Sequence, residues 1–314
     1  MSLSEPLDIK NYIGLTSDTP IRFIASDVDG TLVNDAKSVD PEVVSAVRAA
    51  RESGIRVAIA SGRAWHEMDD VIDAMPCLRY FVCTNGAYVM DKEGKKELVH
   101  ISFDKTRAID LVRKLMTYGV FVEAYVKAEI FGQYPTVGNE TLQAERFFRP
   151  NIRPFILKTR TMVPDLLAHL ESLPEGPEKI QIFYGDERIR ERILADLRDD
   201  FQGAATDGKG RERFYDVLES SEGNLEFVLP HTTKGTAVEA LANHWGYTPD
   251  EVMTIGDSEN DLSMIRFAGA SVAMGNARDN VKAAARYETT DNNNYGVARA
   301  LYSAIAHNRE LEGK

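Results

Sequence analysis

Cysteine is nearly absent from this chain. Cys77 and Cys83 are the only two in 314 residues, so no disulfide framework is available and a reducing compartment, the cytoplasm, is expected. Long apolar runs are also missing. No stretch approaches the 18 or so residues that a membrane span needs, and the polar opening Met1 to Pro20 lacks the basic and apolar regions of a signal peptide. That opening reads as a leader, residues 1–20. Basic charge is short as well: 37 Lys and Arg face 49 Asp and Glu, a net charge of −12, with no Lys/Arg-rich run. Such a surface repels phosphate backbones and anionic lipid, which excludes nucleic acid and membrane as expected partners. Paired histidines are lacking too. None of His66, His100, His169, His231, His244 and His307 has a close ligand neighbour, which removes most zinc-hydrolase readings.

The length predicts two domains, and 43% hydrophobic with 27% charged residues is ordinary globular composition. From Arg22 a regular alternation begins. The apolar run Phe23-Ile24-Ala25 feeds Ser26-Asp27-Val28-Asp29-Gly30-Thr31, a strand running into a turn. Asp40-Pro41 opens a helix whose apolar positions are Val43, Val44, Val47 and Ala50, and Gly54 stops it. A second strand, residues 55–60, ends at Ser61-Gly62-Arg63, and a third, residues 80–83, ends at Thr84-Asn85-Gly86. Strands alternating with helices predict a mostly parallel sheet with helices on both faces.

After Ala87 the style changes. Strand-like segments at 97–103, 120–126, 129–134, 179–184, 214–218 and 225–229 flank helices at 105–118, 163–172 and 187–199, with a hairpin turn expected at Asp91-Lys92-Glu93-Gly94. The stretches 149–154, 173–177 and 203–210 read as loops. Beyond Pro230 the alternation returns, with a helix from Lys234 to Trp245 closed by Gly246 and a strand ending in Gly256-Asp257.

In an open α/β sheet, ligands gather outside the carboxyl ends of the strands, and here those ends carry Asp27, Asp29, Ser61, Asn85 and Asp257. Carboxylates gathered without partners repel, so the pattern asks for a hard cation between them, and oxygen donors without His or Cys select Mg²⁺. Asp27 and Asp29 are two apart at a turn, which lets Asp27 attack phosphorus while Asp29 delivers a proton to the leaving oxygen. Ser61, the amide of Gly62 and the charge of Lys234 offer donors to phosphoryl oxygens. Asp261 lies one helical turn beyond Asp257, suited to orienting its neighbours.

The ordered set Asp-Val-Asp-Gly-Thr, Ser-Gly-Arg, Lys-Gly and Gly-Asp-Ser-Glu-Asn-Asp resembles the four motifs of the haloacid dehalogenase superfamily. Thr84-Asn85-Gly86-Ala87 and Ala273-Met274-Gly275-Asn276-Ala277 further resemble its Cof-like phosphatase branch. The resemblance implies an α/β fold: a Rossmann-like core, residues 21–87 and 230–314, with a large α+β cap, residues 88–229, that sets specificity. It implies Asp27 as the nucleophile forming an aspartyl phosphate, Asp29 as general acid and then base, and Ser61 and Lys234 as phosphoryl ligands. Mg²⁺ is expected on Asp27, the main-chain carbonyl of Asp29 and Asp257, with Asp261 in support. Gly62, Arg63, Asn85 and Asn260 are further candidates near the site. Within the cap, Tyr125, Glu129, Tyr134, Lys179 and Arg213 are candidates to line a cavity. The expected activity is hydrolysis of phosphate monoesters of small metabolites such as sugar phosphates. A phosphomutase or phosphotransferase on the same scaffold is the alternative. From another class, a phosphoacceptor signalling module uses a similar acidic set, but Asp29 and the long insert argue against it.

Overall fold

The computed structural model describes residues 7–127, 129–135, 140–150, 152–198, 213–219 and 223–313. The expected loop at 203–210 lies outside them. Fourteen strands are found among the described residues: β1 Phe23–Ser26, β2 Arg56–Ala60, β3 Tyr80–Cys83, β4 Tyr88–Asp91, β5 Lys96–His100, β6 Phe121–Val126, β7 Glu129–Gln133, β8 Thr161–Met162, β9 Lys179–Phe183, β10 Asp216–Leu218, β11 Asn224–Val228, β12 Val252–Gly256, β13 Ala270–Ala273 and β14 Tyr287–Glu288. They form two sheets, ordered β14-β13-β12-β1-β2-β3-β4-β5 and β10-β11-β9-β6-β7-β8.

The chain divides into two units. The first comprises Met1–Arg63, Met68–Val99 and Thr233–Lys314, and the second comprises Ala64–Glu67 and His100–Thr232. In the first, the strands from β14 to β3 are parallel, and β1 sits centrally between β12 and β2. Strand β1 is buried along its whole length, as a strand covered on both faces must be, which explains its unbroken apolar run. The helix Pro41–Glu52 starts as its sequence dictates: Asp40 accepts from the amide of Glu42, and Pro41 occupies a first-turn position where no amide is needed. Its buried residues include Val43, Val47 and Ala50.

The boundaries differ from expectation: Ala64–Glu67 falls in the second unit, which also runs on to Thr232 rather than 229. The hairpin β4–β5, turning at the anticipated 91–94, extends the first sheet, so residues 88–99 lie in the first unit and the second begins at His100. The opening residues, read as a leader, join the first unit from Leu7 onward. The amides of Tyr12 and Ile13 donate to Ser303 Oγ at 2.8 and 3.2 Å, and Leu15 and Ile21 are buried.

The second unit follows strand parity. Val122, Ala124 and Val126 of β6, Ile180 and Ile182 of β9, and Leu225 and Phe227 of β11 share one apolar cluster with the buried residues of the helices Lys105–Met116, Leu166–Ser172 and Glu187–Asp196. The alternate residues carry polar groups on the other face: Glu123, Tyr125, Lys179, Gln181 and Glu226, all buried. Residues 149–154, expected as a loop, instead lead into a helix, Arg153–Thr159, because Pro154 falls in its first turn, where proline costs no hydrogen bond. The helix Glu140–Phe147 was not anticipated either.

Candidate active site

Four adjacent parallel strands deliver the candidate residues at their carboxyl ends. Ser26 of β1 pairs with Ile59 of β2 and Ile255 of β12, so Asp27 emerges beside Ser61 on one flank and Asp257 on the other. The Asp27 amide donates to the Ile255 carbonyl at 3.0 Å, and the Ser61 amide to Val82 at 2.8 Å. After β3, Thr84, Asn85 and Gly86 all take positive φ, at 51, 53 and 106°. Glycine is required at the third: a Cβ on Gly86 would lie 2.3 Å from the Thr233 carbonyl oxygen.

Lys234 opens the helix Lys234–Trp245, whose Thr233 cap accepts from the amide of Thr236 and completes a capping box. The lysine is buried and shared between two carboxylates, 2.5 Å from Asp27 Oδ1 and 2.6 Å from Asp261 Oδ1. Burial alone would lower its pKa, but the two anions outweigh that and raise it, so it stays charged. Asp27, itself buried, is shifted upward by desolvation and by the negative charge of Asp261, against the pull of Lys234. Its Oδ2 has no hydrogen-bond partner among the described residues.

Asp27, Asp257 and Asp261 each bring a carboxylate oxygen within 4.8 Å of the others. Their occupations differ. Asp261 is spent on positioning: besides Lys234, it accepts the amides of Asp257 and Ser258, both at 2.9 Å. Asp257 accepts from the hydroxyls of Thr31 at 2.9 Å and Ser258 at 3.1 Å, and its pKa is raised by burial and by Asp261 despite those bonds. Gly30, with φ of 76°, is what lets the turn come this close, since a Cβ there would lie 2.6 Å from Asp257 Oδ2. An all-oxygen, acidic donor set around a cradle that a single methyl would invade fits a hard divalent cation.

The Asp29 carboxylate lies apart from that triad. Arg63 grips it with two parallel bonds, Nε to Oδ2 at 2.8 Å and Nη2 to Oδ1 at 2.7 Å, and Lys37 adds a third at 3.2 Å. Burial works against its charge, but these cations prevail and hold the carboxyl below the usual range. Its main-chain carbonyl accepts no hydrogen bond from the described residues, which leaves that oxygen available to a cation. Ser61 Oγ accepts the Arg63 amide at 3.2 Å. Gly62 sits against Asn85, where a Cβ would meet Oδ1 at 3.1 Å, and the same Oδ1 accepts from Asn260 Nδ2 at 3.2 Å. Asp27, Lys234, Asp257 and Asp261 thus form one group, Asp29 and Arg63 a second, and Gly62, Asn85 and Asn260 a third.

Sequence reasoning missed Lys37, Asp70, Thr31, Ser258 and Asn276. Asp70 holds the far side of Arg63 at 3.3 Å, and nothing in the spacing marks it or Lys37. Asn276 donates to the Gly30 carbonyl at 2.7 Å and thereby braces the turn after β1; its signal was the Gly275-Asn276-Ala277 triplet. Of the expected cap residues, Tyr125 and Lys179 lie on the polar face of the second sheet, Lys179 Nζ 4.0 Å from the Tyr125 ring, whereas Glu129 is exposed and Arg213 pairs with Asp216.

Comparison with known proteins agrees with this arrangement. Residues 24–301 match the family model of haloacid dehalogenase-like hydrolases. The chain is 30% identical over 290 residues to Phosphatase YwpJ of Bacillus subtilis, covering 90% of this chain and 99% of that protein. It is 27% identical over 288 residues to pyridoxal phosphate phosphatase YbhA of Escherichia coli, covering 90% and 98%. Among solved structures, a haloacid dehalogenase-like hydrolase from Bacteroides thetaiotaomicron superposes with a TM-score of 0.74 at 27% identity, over 90% of this chain and 98% of that one. With its site carried on the same strand ends that the motifs mark, the chain belongs to the haloacid dehalogenase-like hydrolases and is a phosphatase of that family.

Proposed function

We propose that the protein hydrolyses phosphate monoesters of small soluble metabolites, the class to which pyridoxal phosphate and sugar phosphates belong, through an aspartyl-phosphate intermediate on Asp27. The observation that carries this reading is the buried Asp27 carboxylate, with one oxygen held by Lys234 and the other without a hydrogen-bond partner among the described residues. An anchored, oriented carboxylate at a strand end is a nucleophile whose approach is fixed in advance.

In the first step Oδ2 of Asp27 bonds to phosphorus, the ester P–O bond breaks, and Asp29 gives a proton to the departing oxygen. In the second, the Asp29 carboxylate takes a proton from water, the water oxygen attacks phosphorus, and the acyl phosphate P–O bond breaks to return Asp27 and release phosphate. In this reading Lys234, the Ser61 hydroxyl and the Gly62 amide steady the phosphoryl oxygens. Asp27, the Asp29 carbonyl and Asp257 would hold Mg²⁺, which supplies positive charge against the developing negative charge. Asp29 rests in its base form, gripped by Arg63, so its turn as acid requires that grip to loosen when substrate arrives. We assign specificity to the second unit, residues 100–232, and the free state of Cys77 and Cys83 suits a cytoplasmic enzyme.

The test is hydrolysis of 4-nitrophenyl phosphate with Mg²⁺, with EDTA, and by Asp27→Asn. An amide cannot form the phosphoenzyme, so turnover should fall to background in the variant and in chelator. Asp29→Asn should keep metal binding and lose about 10²–10⁴ in rate, the contribution of a positioned acid and base. Undiminished hydrolysis by Asp27→Asn would sink the mechanism.

A further inference from the structure

The turn Ser61-Gly62-Arg63 runs straight into Ala64–Glu67, four residues that belong to the second unit. Ala64 there shares a buried apolar cluster with Tyr125 and Ile130. The loop closes on itself: the Glu67 amide donates to the Ala64 carbonyl at 3.1 Å, and the Ala64 amide donates to Glu67 Oε2 at 2.8 Å. The other oxygen, Glu67 Oε1, takes Arg160 Nη1 at 2.5 Å.

Arg160 is buried, and its guanidinium is fully committed. Nε reaches Glu123 Oε2 at 3.0 Å; Nη2 reaches Glu123 Oε1 and the Tyr125 hydroxyl, both at 3.1 Å; Nη1 also reaches Thr159 Oγ1 at 2.6 Å. Those contacts, with Glu67, account for the five donors an arginine has, so none is left over for a phosphoryl group. Arg160 thus bridges two buried carboxylates, Glu67 and Glu123, through a full set of hydrogen bonds. At the opposite end of the loop, one peptide bond before Ala64, stands Arg63. Its carbonyl is held by the Thr84 amide at 2.9 Å and its side chain by Asp29.

We propose that Arg160 is a positioning residue for the reaction: by locking Glu67 it fixes the 64–67 loop, and with it the place of Arg63 against Asp29. The chain of bonds runs Glu123–Arg160–Glu67–Ala64 and passes along the backbone to Arg63. An arginine that must first orient Asp29 and then release it needs a rigid base to return to, and Glu67 with Arg160 is that base. The assignment rests on the phosphatase reading above.

Glu67→Gln tests it with the least disruption, since the amide oxygen still accepts the Ala64 amide, Arg160 keeps Glu123, and only the charge holding the loop is lost. With 4-nitrophenyl phosphate and Mg²⁺, kcat should fall about tenfold while KM changes less than about twofold, the signature of misplaced catalytic groups rather than of lost binding. Arg160→Lys, a point charge that cannot span both carboxylates, should act in the same direction and more strongly. In an Arg63→Met background Glu67→Gln should change kcat by less than about twofold, because the group it positions is already gone. Amide exchange at residues 63–67 should quicken in Glu67→Gln, while that of β6 and β9 stays as in the parent. An active parent with unchanged kcat in Glu67→Gln and Arg160→Lys, or effects that multiply fully in the Arg63→Met background, overturns the proposal alone. A parent that does not hydrolyse the ester with Mg²⁺ overturns the phosphatase reading, and this proposal with it.

Discussion

At the scale of single residues, the site depends as much on the glycines that leave room as on the carboxylates that fill it. Gly30 combines a left-handed backbone with a position where a Cβ would stand 2.6 Å from Asp257 Oδ2, and Gly256 stands in the same relation to Asp261, whose Cβ and Cγ a methyl would meet at 2.6 Å. Gly30→Ala should therefore do two things. The backbone conformation costs about 1–2 kcal/mol in an L-residue, and the new methyl must push the Asp257 carboxylate aside. The expected outcome is a small loss of thermal stability together with a several-fold rise in the Mg²⁺ concentration that half-saturates 4-nitrophenyl phosphate hydrolysis. Unchanged Mg²⁺ dependence would show that Asp257 does not face the cation. That Asp27, Lys234 and Asp257 would gather at one edge of the sheet was legible in the sequence because strand-end carboxylates and a helix-start lysine follow simple patterns. That Asp261 spends both oxygens on Lys234 and two amides was not, because the division of labour among three similar carboxylates is decided by which donors reach which oxygen.

At the scale of elements, the helix Lys234–Trp245 holds the buried lysine that bridges Asp27 and Asp261, and both of its ends could be read from the sequence. Thr233 caps it through the Thr236 amide, and Gly246 closes it in the left-handed region at φ of 75°. Thr233→Val should remove the cap at a cost of about 1 kcal/mol and lower the melting temperature by roughly 2–4 °C. Because Lys234 follows the cap directly, kcat should fall as well; thermal unfolding and kinetics on the same sample separate the two effects. The strands of the first unit were legible because buried parallel strands leave continuous apolar runs, and the helices Pro41–Glu52 and Lys234–Trp245 because they carry side-chain caps. Residues 88–99 misled because a hairpin that extends a sheet reads locally like the start of a new domain, and no local pattern records which neighbour a strand pairs with. The helix Arg153–Thr159 was hidden by Pro154, which breaks a helix everywhere except in its first turn.

At the scale of the whole molecule, the site is a place where function works against stability. Asp27 is buried beside Asp261, and desolvation together with that neighbour raises its pKa above the ordinary value of 3.8 in spite of Lys234. A carboxyl whose pKa is higher folded than unfolded favours the folded chain only while it carries its proton. That contribution is fully present below about pH 3.8 and is lost as pH rises through the raised folded value. Asp257, raised in the same way by burial and Asp261, adds to the trend. Asp29, held below the usual range, works in the opposite sense: its share is present above the ordinary value and is lost only as pH falls through the lowered one. To isolate the contribution of Asp27, the parent can be compared with Asp27→Asn, which keeps the shape of the protonated acid at every pH. In EDTA, Asp27→Asn should unfold at a higher temperature than the parent at pH 8, and the gap should shrink towards pH 5. Millimolar Mg²⁺ should close it at pH 8 by stabilising the ionised parent, and should do little for the variant, which has lost one carboxylate ligand. A gap independent of pH would mean that Lys234 neutralises Asp27 completely, and the cluster would then carry no stored repulsion for a cation to relieve.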